Sequence, residues 1–127
     1  MKLKLFTLSL LLLFLYPLVQ DTKTELLCDK KWELQFIEVD ELKVPVDVDQ
    51  NLQMWMLFEK GGVQKTNTTQ GLIEGKWEFT KEKDALLITN VKGDQKKFTL
   101  QKLDKESLVL ILDDFEETGV LYFGLFK

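Results

Sequence analysis

Histidine and arginine are both absent from the chain, and cysteine occurs once, at Cys28. Without an imidazole there is no Ser-His-Asp or Cys-His triad, no histidine base and no ordinary zinc site. A single cysteine excludes an internal disulfide and any thiolate-cluster metal site. All 17 cations are lysines; against 21 acids they leave a net charge of −4 and a pI near 4.9. That balance argues against nucleic acid as a partner, because phosphate recognition wants a cationic face and bidentate guanidinium contacts. An enzyme of this composition would be left with carboxylate or lysine chemistry alone, so binding rather than catalysis is the expected mode of action. No catalytic set, metal site or cofactor is expected.

What is present begins with an apolar N-terminus. Lys2 and Lys4 precede residues 5–19, which carry no charge. A short basic head before an apolar stretch of that length reads as a signal peptide over residues 1–19, and falls short of the roughly 18 residues of a membrane span. Tyr16-Pro17-Leu18-Val19 offers no small-x-small cleavage site, so an uncleaved N-terminal anchor is the alternative, and the one expected route to a membrane. The expected location is secreted or periplasmic. Cys28 follows Glu25-Leu26-Leu27 and a polar stretch, which is not the setting of a lipid-bearing cysteine. It reads as a small buried side chain.

The rest of the 127 residues amounts to one domain, residues 28–127. Short segments alternate apolar and polar residues with period 2 at residues 31–39, 53–59, 63–68, 75–80, 85–89, 96–103, 107–112 and 119–126. Trp32, Leu34 and Phe36 share one face of the first; Met54, Met56 and Phe58 share one face of the second. Trp77 and Phe79 alternate with Lys76, Glu78 and Thr80. Turn residues separate the segments, as in Lys60-Gly61-Gly62 and Asp104-Lys105-Glu106. About eight short strands at this spacing form the all-β pattern, and short connections favour antiparallel neighbours. Closing such a meander into an up-and-down barrel removes its two edges. The longest connection, residues 40–51, is expected to cross one mouth of the barrel. No segment after residue 20 shows a helical apolar stripe.

Three stretches carry a resemblance: Cys28-Asp29-Lys30-Lys31-Trp32-Glu33-Leu34, Met56-Leu57-Phe58-Glu59-Lys60-Gly61-Gly62 and Gly75-Lys76-Trp77-Glu78-Phe79. Together they resemble the small bacterial lipocalin-like domain family of secreted or surface-attached calycin-like barrels, over residues 27–127. The first Gly-x-Trp of lipocalins is altered here, with Lys30 at the glycine position; the second, Gly75-Lys76-Trp77, is intact. The resemblance implies binding of a small hydrophobic ligand inside the barrel.

Trp32, Phe36, Met54, Met56, Phe58, Trp77, Phe79, Phe98 and Tyr122 are the candidate ligand-binding residues, as an aromatic and methionine lining that suits an apolar molecule. A barrel of this size is either filled by its own side chains or holds one small ligand. In the first case it would act through its loops as a protein-interaction module, for example a secreted inhibitor. Asp47-Val48-Asp49-Gln50-Asn51 opens like a calcium loop, but Leu52 and Phe58 stand where its glycine and glutamate belong. Asp113, Asp114, Glu116 and Glu117 read as a solvated turn. Asn67-Thr68-Thr69 matches a glycosylation sequon, which matters only in a eukaryotic secretory pathway.

Overall fold

A computed structural model describes residues 22–46, 54–113 and 118–126. The leader expected at residues 1–19, the acidic stretch 47–51 and the acids 114–117 lie outside them. A short helix, α1 (Thr22–Leu27), precedes nine strands: β1 (Lys31–Val39), β2 (Leu42–Pro45), β3 (Trp55–Phe58), β4 (Val63–Thr68), β5 (Gly71–Phe79), β6 (Ala85–Thr89), β7 (Gln95–Leu103), β8 (Ser107–Asp113) and β9 (Thr118–Leu125). Each strand pairs antiparallel with the next along the sheet, and β9 returns to pair with β1. Among the described residues no helix is long and apolar enough to cross a membrane.

The ring has eight positions rather than nine. β9 occupies one edge of β1, so β2 and β3 share the other, β2 on Phe36–Val39 and β3 on Lys31–Glu33. Val46 N donates to Gln35 O and Leu34 N to Met54 O, which puts β2 and β3 end to end on that edge. The connection expected over residues 40–51 therefore contains a strand. It begins with a two-residue turn, Asp40-Glu41, in which both residues take positive φ (51° and 65°). Such a turn matches the twist of a hairpin, and it usually carries asparagine and glycine. Here neither is present, so the hairpin has no signature in the sequence. One and a half turns of helix are likewise too short to show a stripe, which is why α1 was not expected.

The other hairpins follow their turn chemistry. Asp104 Oδ1 accepts from the amides of Glu106 and Ser107, and Asn90 Oδ1 from those of Lys92 and Asp94. These bonds hold the Asp104 carboxyl below the usual carboxylate range. Gly62 and Gly93 supply the positive φ that ends two of the turns. Gly75 serves differently: a Cβ there would meet the Thr89 carbonyl at 2.6 Å, so β5 can cross β6 closely only with glycine.

A β-bulge at Gln35 decides which side chains enter the barrel. Leu34 pairs with Phe123 and Phe36 with Tyr122, so two bonds along β1 match one along β9. The extra residue reverses the alternation. Leu34 and Ile37 face in; Phe36 faces out.

The two ends of the barrel differ. At the base, α1 and the turns after β3, β5 and β7 close over Leu27, Trp32, Phe58, Leu86 and Leu108; Leu110, opposite Leu121 higher in the barrel, is completely buried as they are. Burying six such side chains removes a large apolar area from water, each contributing on the order of 1.5–3 kcal/mol. At the other end, Val44 pairs with Ile37 and Leu42 with Val39, on the inward face, yet Val39, Leu42 and Val44 are 49%, 66% and 47% exposed. The lower half is packed, and the described residues leave the upper half unfilled.

Candidate functional site

The candidate site lies in the upper half of the barrel, above the packed base. An inner cavity of about 260 Å³ is lined by Leu34, Ile37, Met54, Trp55, Met56, Thr66, Leu121 and Phe123. A wider mouth of about 550 Å³, lined by Ile37, Val39, Asp40, Leu112, Thr118, Gly119 and Leu121, shares Ile37 and Leu121 with it. The inner cavity is therefore the deep end of a cup. Its position follows from the elements: the bulge turns Ile37 inward, β3 supplies the methionines, and β9 supplies Leu121 and Phe123 in register with Ile37 and Leu34.

Among the described residues no charged side chain lines the inner cavity, and Thr66 is the one hydroxyl residue in its lining. Thr66 lies between Met56 and Ile73 in the register of β4. Gln64, on the same face, is buried and donates from Nε2 to Thr66 Oγ1. Asp40 brings a carboxylate to the mouth. Two further hollows, of about 440 and 430 Å³, lie on the outer face of β4–β6 among Lys76, Glu78 and Glu74. Unlike the inner cavity, they are bordered by charged side chains.

The nine candidate residues divide three ways. Met54 and Met56 line the cavity. Trp32, Phe58, Trp77 and Phe98 are buried in the packed core, with Phe79 against it. Phe58 and Trp77 meet edge to face at 5.6 Å, and Trp77 and Phe79 at 5.2 Å, an arrangement that aromatic quadrupoles favour. The two buried indoles are satisfied, Trp32 Nε1 by Leu27 O at 2.9 Å and Trp77 Nε1 by Glu59 O at 2.7 Å. They plug the base beneath the cavity. Lys30 at the altered Gly-x-Trp position leaves Trp32 in this role.

Phe36 and Tyr122 are corrected to the outer surface. Their rings pack edge to face at 6.5 Å, and Lys43 Nζ lies 4.7 Å and 4.1 Å from the two ring centres. Strict alternation from Trp32 would have put Phe36 inside; the bulge puts Ile37 there instead. Leu34, Ile37, Trp55, Thr66, Leu121 and Phe123 are the lining residues missing from the candidate set.

Cys28 is buried beneath α1, as expected of a small apolar side chain. Burial, helped by the Asp29 carboxylate, pushes its thiol up to about 11 from 9.0, so it is no nucleophile at neutral pH. Among the described residues no group of three or more acids or cysteines is arranged to hold a metal ion.

No protein-family model matches the chain, and no curated protein matches it significantly. Among solved structures, a lipocalin-like protein from Bacteroides uniformis superposes with a TM-score of 0.57 at 18% identity, over 79% of this chain and 98% of that one. A closed antiparallel ring of eight positions in which neighbours in sequence pair along the sheet is an up-and-down β-barrel. Within that class the fold is lipocalin-like.

Proposed function

We propose that the protein binds a small hydrophobic molecule in the upper half of its barrel and holds it without chemical conversion. The observation that carries this reading is the inner cavity of about 260 Å³, lined almost wholly by apolar side chains and sharing Ile37 and Leu121 with the wider mouth. A preformed, uncharged hollow is poorly hydrated, so an entering apolar ligand loses its own hydration shell and gains dispersion contacts against little opposing cost. Met54 and Met56 give two of the walls flexible, polarisable side chains that adapt to shape. An apolar cavity of roughly 150 Å³ is enough for benzene, so this one suits a molecule somewhat larger.

A solid barrel working only through its loops has less support, because inward-facing side chains at the mouth are left about half exposed. The lipocalin-like neighbour supports the fold, and through it a binding role. Secretion or export to the periplasm rests on the basic and apolar pattern of residues 1–19. Native mass spectrometry of the protein purified from its own host tests the reading. Expected is an added small-molecule mass that disappears on denaturation. A bare chain, also unmoved by a panel of apolar ligands, would overturn it.

A further inference from the structure

The chain carries sulfur at only four residues, three methionines and one cysteine. Met1 lies outside the described residues. The other two methionines, Met54 and Met56, line the same inner cavity. They stand two residues apart at the start of β3, Met54 beside Leu34 and Met56 opposite Trp32. Both are half-buried, so a small solute can reach their thioethers. Cys28 is protected by contrast. It is 4% exposed, and its thiol stays protonated at neutral pH, whereas it is the thiolate that reacts.

We infer that Met54 and Met56 are an oxidation site, at which hydrogen peroxide forms sulfoxides that weaken the hold of the cup on an apolar ligand. One peroxide oxygen passes to the sulfur and the other leaves as water; the thioether is oxidised by two electrons as the peroxide is reduced. The product is a polar, chiral side chain in place of a flexible apolar one. Only apolar surface faces the inner cavity, so a sulfoxide oxygen directed into it meets no donor. Turned toward the mouth to stay hydrated, it holds water where the ligand would enter. The loss of binding rests on the ligand-binding role proposed above; the place of oxidation does not.

The test treats the protein with hydrogen peroxide, locates the added oxygen by peptide mass spectrometry, and titrates toluene calorimetrically before and after. Expected is one oxygen on each of Met54 and Met56, with Cys28 and Trp55 unaltered. Toluene then binds about tenfold more weakly or worse, the scale of a buried polar group left without a partner. Methionine sulfoxide reductases for the two epimers restore the affinity. The double variant Met54→Leu/Met56→Leu binds toluene equally before and after peroxide, since leucine replaces methionine at nearly constant volume. Each single variant takes up one oxygen. A thermal melt shows the oxidised protein still folded. Oxygen going first to Cys28 or Trp55 would overturn the inference. So would oxidised protein that holds toluene at full strength or has unfolded, or a double variant that loses toluene on treatment. If the untreated protein binds no toluene, the pocket reading falls and the loss of binding with it, while the mass spectrum still decides the site of oxidation.

Discussion

Trp32 and Trp77 each bury an indole and give its N–H to a main-chain carbonyl at the base of the barrel. A buried indole is stable only with that bond made, so each tryptophan both fills the base and fastens it to a neighbouring segment. For Trp32 that segment is the end of α1. Trp32→Ala should cost about 3–5 kcal/mol, the range for deleting a large buried aromatic, measured as a shift in the urea midpoint at unchanged slope. A loss below about 1 kcal/mol would mean that the base is not the packed half. Cys28 gives a second test. Its thiol is held up at about 11, against 9.0. The unfolded chain thus ionises first, and stability present below about pH 9 is lost as pH climbs toward 11. Cys28→Ala should flatten that part of the stability profile relative to the unaltered chain. Equal slopes in the two proteins would contradict the buried thiol.

At the scale of elements, most strands could be read from period-2 alternation, and the hairpins from Gly61-Gly62, Asn90, Gly93 and Asp104. Two features were not legible. The hairpin between β1 and β2 turns on Asp40-Glu41, whose positive φ values carry no glycine or asparagine as a sign. The bulge at Gln35 has no composition of its own; it is set by how β1 registers against β9, two segments more than eighty residues apart. That one residue moved Phe36 out and Ile37 in, and with it much of the difference between the expected site and the observed one. Tyr122 follows Phe36 because paired residues share a face. The strained turn is testable directly. Replacing Asp40-Glu41 by Asn-Gly should stabilise the protein by about 0.5–1.5 kcal/mol, since both residues tolerate positive φ, read from the thermal midpoint. A destabilised double variant would argue against the type of turn described.

Across the whole molecule, the all-β barrel was legible because alternation, short turns and the lack of any long helical stripe agree. Its asymmetry was not. The aromatics that stand out in the sequence mostly pack the base, whereas the cup is walled by Leu34, Ile37, Met54, Met56, Leu121 and Phe123. Aromatic rings are the obvious candidates for a pocket, but their size makes them equally suited to sealing one end of a barrel. A closed, fully bonded lower half gives the cup a rigid floor, and this leaves the upper half free to be open. A ligand held there should raise the melting temperature as its concentration exceeds its dissociation constant.

The most direct test of the account is methyl NMR of the protein, with labelled methionine, leucine and isoleucine, titrated with an apolar ligand such as toluene. Expected are saturable shifts at Met54, Met56, Ile37 and Leu121, with Leu27 and Leu86 in the packed base unmoved. Shifts absent from the cup, or centred instead on Leu87 at the outer face of β6, would contradict it.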